Sequence, residues 1–291
     1  MKTRLLVFAV TGAVCCAADL QFHPAEKGEF HFDTGELKGT LRSEGRSMGL
    51  LPVTHVPSGT NMARSMGLFG MYRVFSDGRR YGKGMWDWPS EARLTGKGAV
   101  EVRWSPGEDR PFEARALYHW AGPGTLDIDI SFKPTQDLHA FESFLAAYLG
   151  EKFTNSEVLV KGGRFMAAEP ANGKWQMFPR NPEALTLIRD GRWKLPPNPV
   201  DWVVQPEFEQ PIAVRRDPTS GLTVVLMAPA RDCFAIAMPE QTDSHYSIYY
   251  SMFGRDVKKG ATVRGRARLV VLPSANASQI LELYRKYARG K

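Results

Sequence analysis

Leu126-Asp127-Ile128-Asp129-Ile130-Ser131-Phe132 alternates apolar and polar residues without a break. Side chains of a strand point to opposite faces in turn, so this run puts Leu, Ile, Ile and Phe on one side and Asp, Asp and Ser on the other. Gly124 precedes it and Pro134 ends it. Working outward, residues 113–120 repeat the pattern. Ala114, Ala116, Tyr118 and Trp120 oppose Glu113, Arg115, Leu117 and His119. Residues 100–104 alternate too, and Ser105-Pro106-Gly107 closes them with turn chemistry. Half-buried strands joined by short turns are the signature of an antiparallel sheet.

Other segments are apolar on both faces. Residues 141–149, 222–228 and 234–238 read as central strands buried between layers. Residues 244–253 form a long aromatic strand, 262–272 alternate, and 254–260 read as the hairpin connection between them. One helix is expected, over 274–287, with Ser274 as its cap and Ile280, Leu281, Leu283, Tyr284 and Tyr287 at helical spacing. The most loop-like stretch is 172–200, ending in Pro196-Pro197-Asn198-Pro199. Its Trp175, Phe178 and Trp193 argue against disorder. No internal repeat and no compositional break appears. The expected fold is all-β, a large antiparallel β-sandwich with a C-terminal helix, formed by residues 19–291 as a single domain.

Residues 1–18 read as a signal peptide. Lys2 and Arg4 precede an apolar run from Leu5 to Val14, too short to span a bilayer. Cys16 and Ala18 supply the small side chains that signal peptidase requires, leaving Asp19 as the new N-terminus. Attachment of a lipid at Cys15 or Cys16 ranks second. The expected location is therefore the periplasm or the medium. Processing removes two of the three cysteines, so Cys233 stands alone, without an intramolecular disulfide or a cysteine-rich zinc site. Losing Lys2 and Arg4 brings the net charge from +7 to +5. The charges are mixed in sign, and no basic block suggests nucleic acid. No later apolar run has the length of a membrane helix.

Strong catalytic motifs are absent. There is no phosphate-binding glycine loop, zinc-protease helix or nucleophile elbow, and no cofactor is expected. Six histidines are present, none at metal-ligand spacing to another. His119 and His245 lie on expected strands among aromatics and suit acid–base chemistry. A histidine bonded within a sheet for packing is the commoner case. Glu142 sits in an apolar strand, where a carboxylate is costly to bury without a partner. The segment 73–88 is rich in groups suited to sugars, among them Arg73, Tyr81, Trp86 and Trp88. Aromatic faces stack on pyranose rings, and Arg satisfies hydroxyl pairs. An edge loop anchored by its two tryptophans is an equal alternative. His55, Arg64 and Tyr249 complete the candidate contacts.

Tyr118-His119-Trp120, Gly122-Pro123-Gly124-Thr125-Leu126-Asp127-Ile128 and Phe141-Glu142-Ser143-Phe144 to Tyr148 together resemble the large sandwich of galactose-mutarotase-like proteins. Tyr249-Tyr250-Ser251-Met252-Phe253-Gly254-Arg255-Asp256, with Lys259-Gly260 after it, is similar to the closing hairpin of that superfamily. The resemblance implies a supersandwich. The superfamily holds sugar epimerases, glycosidase and lyase domains and sugar-binding modules, so it implies a sugar ligand without fixing an activity. Epimerases of this fold pair a strand histidine with a glutamate. Carried over, that implies His119 or His245 as acid and Glu142 or Glu209 as base.

The expectation is an exported carbohydrate-binding or carbohydrate-active protein. It would hold an oligo- or polysaccharide on the concave face of its sandwich. If it is an enzyme, His119, His245 and Glu142 would act as acid and base, in the manner of an epimerase, glycoside hydrolase or lyase. The alternative is a non-catalytic cell-envelope binding or assembly module, which requires an exposed apolar patch.

Overall fold

A computed structural model describes residues 18–42, 47–64, 66–168, 175–239 and 246–290. The alternating run becomes the strand Thr125–Pro134, paired antiparallel to Phe112–Gly122 on one side and Val263–Leu272 on the other. These are the middle of a nine-stranded sheet. Its order is Arg164–Ala167, Asn155–Val160, Phe208–Arg216, Thr223–Met227, Val263–Leu272, Thr125–Pro134, Phe112–Gly122, Ala99–Trp104 and Glu91–Thr95.

Of the segments apolar on both faces, 222–228 becomes Thr223–Met227 of the nine-stranded sheet, while 141–149 and 234–238 enter a seven-stranded one. Its order is Trp202–Val204, Trp175–Pro179, Cys233–Met238, Ser247–Val257, Leu138–Tyr148, Gly70–Ser76 and Arg79–Arg80. A five-stranded sheet, from His23–Pro24 to Thr60–Asn61, joins the same core. There Phe22 and Phe32 pack against Trp120, at centroid distances of 5.6 and 4.9 Å.

The two large sheets enclose the main core. Ala116, Tyr118, Ile128 and Ile130 of one meet Leu145, Ile236, Tyr250 and Met252 of the other, all buried. Full burial of each aliphatic or Phe side chain stabilises the fold by about 1.5–3 kcal/mol. The buried Tyr250 hydroxyl is satisfied: it accepts from the Ala213 N–H at 3.1 Å and donates to the Leu226 carbonyl at 2.6 Å. Arg215, also buried, donates to the carbonyls of Phe153, Pro239 and Ser247. Burial lowers its pKa to about 10.

Each large sheet also has a covered outer face. The segment 172–200, expected as a loop, contains the strand Trp175–Pro179, helix α1 (Pro182–Ile188) and a single turn at Arg192–Lys194. Pro182 opens α1, and the Asn181 side chain accepts from the Ala184 N–H at 3.0 Å. This segment lies on the outer face of the seven-stranded sheet. Helix α2 (Ala277–Arg289) covers the outer face of the nine-stranded sheet, burying Ile280, Tyr284 and Tyr287 against Ile212, Val225 and Val270. It begins after Asn276, not at Ser274, because Asn276 and Gln279 form a reciprocal capping box at 3.0 and 2.8 Å. The hairpin connection expected at 254–260 is shorter, since the strand runs on to Val257 and turns at Lys258–Ala261.

Candidate functional site

Strand alternation decides which side chains leave the main core. Along Leu138–Tyr148, Leu145 and Ala147 point into the sandwich, while Glu142, Phe144, Ala146 and Tyr148 point to the outer face. On the neighbouring strand Ser247–Val257, Tyr249 does the same. The strand Gly70–Ser76 departs from alternation. Ser143 pairs with Val74 and Leu145 with Met71, so Tyr72 and Arg73 together oppose Phe144. Such a bulge turns two consecutive side chains toward one face.

The result is an aromatic cluster with polar tips. Tyr72 stacks on Trp86 at 3.9 Å, Tyr249 on Trp175 at 4.9 Å, and Tyr148 meets Tyr249 edge-on at 5.4 Å. Trp193, from the turn after α1, lies 4.0 Å from Phe144 and 4.8 Å from Trp202. Burial, first among the causes, pushes the Tyr148 and Tyr249 phenols well above the ordinary value, so both stay protonated.

Three arginines enter this cluster. Arg192 bonds Glu142 at 3.0 Å and Asp190 at 2.7 Å, and donates to the Ala140 carbonyl. Burial raises the Glu142 carboxyl, and the Arg192 charge opposes that rise. Arg73 lies 5.0 Å from the Tyr72 ring and 5.4 Å from Trp193. Its Nη2 donates to the Asn198 carbonyl at 3.1 Å, while Nε and Nη1 have no partner among the described residues. Arg80 donates to the carbonyls of Pro197 and Lys83, and its Nε is likewise unpaired. Burial and then the neighbouring charge of Arg73 lower the Arg80 pKa, while the Tyr72 phenol pulls it back.

Of the residues singled out in the sequence, Arg73, Trp86, Glu142 and Tyr249 come together on this face. Arg64 is exposed beside it, its backbone N–H donating to the Tyr148 carbonyl at 3.0 Å. Tyr81 and Trp88 point the other way, into the main core against Phe112. His55 is buried in the five-stranded sheet, 2.7 Å from the Ser58 hydroxyl and 3.4 Å from Glu36. His119 lies on the nine-stranded sheet, 3.3 Å from Asp129. That hydrogen bond raises its pKa. It lines a cleft of about 950 Å³ under α2, with Asp127, Arg266, Arg268 and Tyr287. His119 and Glu142 thus sit on different sheets and do not converge. His245 lies outside the described residues, and Glu209 bonds the Gly163 N–H. Among the described residues no group of three or more His, Cys, Asp or Glu is placed to hold a metal ion. None of the described helices is long and apolar enough to cross a membrane. Sequence reading missed Tyr72, Tyr148 and Arg192 as members of the cluster, while Arg80 lies in the segment 73–88 that it marked as suited to sugars.

No family model and no curated protein matches the chain. Solved structures do. The Slr1438 protein of Synechocystis sp. PCC 6803 superposes with a TM-score of 0.53 at 14% identity, over 88% of this chain and 99% of that one. A galactose mutarotase-like protein of Lactobacillus casei gives 0.52 at 10% identity, over 84% of this chain and 100% of that one. This chain has the galactose-mutarotase-like fold. An α-N-acetylgalactosaminidase of Bifidobacterium bifidum also contains this fold, with a TM-score of 0.52 at 12% identity, over 93% of this chain but 39% of the enzyme.

Proposed function

We propose that this protein is an exported saccharide-binding protein. It holds its ligand on the outer face of the seven-stranded sheet, over Tyr72, Trp86, Tyr148 and Tyr249. The observation that carries this reading is the cluster itself: stacked aromatic rings interleaved with arginines and phenols on one sheet face. The rings are buried beneath the covering segment, so their faces and the arginine donors meet sugar C–H groups and hydroxyls once that segment moves aside. Binding is favoured over acid–base catalysis because Glu142 is engaged by Arg192 and His119 lies on the other sheet. A protein-docking module is disfavoured, since Val56 is the one exposed large hydrophobic residue among those described. The signal-like residues 1–18 support export to the periplasm or medium, where glycans are the plentiful ligands.

Titration with a panel of neutral and acidic oligosaccharides, followed by tryptophan fluorescence, tests the proposal. Trp86, Trp175, Trp193 and Trp202 all border the face, so binding should shift the emission, and Trp86→Ala should weaken binding by about tenfold or more. A folded protein that responds to no member of the panel would overturn it.

A further inference from the structure

Buried arginines are normally matched. Arg215 shows what a purely structural one looks like here, with three carbonyls from three separate segments closing around its guanidinium. Arg192 has two carboxylates. Arg73 has a single carbonyl and Arg80 has two, and neither has a carboxylate among the described residues. Arg73 is 2% exposed and makes one hydrogen bond, to a single strap carbonyl. Arg80 stands near enough for the two positive charges to repel, and no carboxylate of the described residues pairs with either. Arg73 is desolvated and Arg80 part-buried, so two like charges without a counter-ion are costly to keep together here.

The surroundings say what relieves them. The two guanidiniums flank the Tyr72 ring, at 5.0 and 5.8 Å, on the face assigned above to the saccharide. Their present acceptors are neutral main-chain carbonyls, that of Lys83 for Arg80 and those of Pro197 and Asn198 in the strap between the Arg192–Lys194 turn and Val200. Asn198 is exposed, so the strap is the solvent boundary of the cluster. Lys83, exposed beside Arg80, adds a third positive charge. Oxygens of an oxyanion are stronger acceptors than carbonyls for the same N–H groups, and guanidinium matches them in pairs.

We propose that the saccharide is anionic, and that Arg73 and Arg80 together receive its carboxylate or sulfate group once the Pro197 and Asn198 carbonyls give way. This rests on the saccharide reading of the same face. Lys83 draws the anion in from solvent, and the stacked Tyr72–Trp86 pair lies under the adjoining sugar ring.

Calorimetric titration of the whole secreted protein tests it, with three probes: a galacturonate oligomer, a sulfated galactan oligomer and the neutral galactan oligomer of equal length. The expected result is that one acidic probe binds at least about tenfold more tightly than the neutral one. The acidic probe that does so identifies carboxylate or sulfate as the group received. Arg80→Met and Arg73→Met should each abolish that preference, bringing the acidic probe down to the affinity of the neutral one. Arg79→Met should change nothing, because Arg79 stacks on Tyr81, away from the cluster. Arg80, only part-buried, keeps the test usable if the Arg73 variant fails to fold. Equal affinity for acidic and neutral probes, or a preference that survives Arg80→Met, overturns the anion inference and leaves the saccharide reading standing. Binding of none of the three overturns both.

Discussion

Single residues hold the outer face of the seven-stranded sheet together, and two make sharp tests. Glu142 and Arg192 are both buried, so removing one charge strands the other. Arg192→Met should destabilise the protein by about 3–5 kcal/mol near neutral pH. The pH dependence has a definite sign. Burial already raises the Glu142 carboxyl, and losing Arg192 raises it further. A raised acid favours the protonated form in the folded state, so the variant's stability is greatest at acid pH and falls as pH rises through that raised value. Urea unfolding of wild type and variant at about pH 5 and about pH 8 should show the smaller deficit at the lower pH. A deficit that does not change with pH would show that Glu142 is not the stranded group. Gly84 gives the second test. A Cβ there would lie 2.9 Å from both the Trp86 and the Tyr72 ring, so Gly84→Ala must part the stacked pair. The expected loss is about 1–3 kcal/mol, with a shift in tryptophan emission that an unperturbed stack would not give.

At the scale of elements, legibility followed the environment of each face. Leu126–Phe132 announced itself because its apolar side faces the main core while Asp127 and Asp129 face outward, so period two survives in the residues. Residues 141–148 are covered on both sides. Their composition revealed burial but not which side chains share a face, and Tyr148 was hidden with them. The Tyr72–Arg73 bulge was invisible because it is a mismatch of register with a distant strand, not a property of Gly70–Ser76. Segment 73–88 read as one sugar-like stretch, yet the chain folds it so that Trp86 and Trp88 face different layers. The helix α2 was legible from its spacing, and its start was not. Ser274 and Asn276 are both fit to cap, and only the Gln279 partner selects Asn276. Asn276→Ala should therefore lower stability by about 1 kcal/mol in thermal or urea unfolding. Ser274→Ala should leave stability nearly unchanged. The reverse ranking would contradict the capping box.

At the scale of the molecule, the way the chain around Phe22 is tied to the core has physical consequences. Phe22 is buried against Phe32 and Trp120, and its N–H donates to the Gly98 carbonyl at 2.9 Å. Residue 22 therefore belongs to the core that joins the five-stranded sheet to the sandwich. Between the cleavage point expected after Ala18 and Phe22, the one ion pair among the described residues is His23 with Asp19, at 2.7 Å and largely exposed. Exposed pairs of this kind contribute little. A chain beginning at Asp19 should thus unfold at the same urea concentration as one beginning at Ala18. Replacing Phe22 with Ala in either chain should cost about 3–5 kcal/mol. Reductant should leave both curves unmoved, because Cys233 is the sole thiol of a chain beginning at Ala18 or Asp19 and is fully buried. Burial pushes that thiol far above its ordinary pKa, so thiol reagents should label it only as fast as the protein unfolds. Loss of folding on removal of residues 1–18 would instead mean that the apolar segment belongs to the folded body. The export reading would then fail along with the compartment from which a glycan ligand was argued.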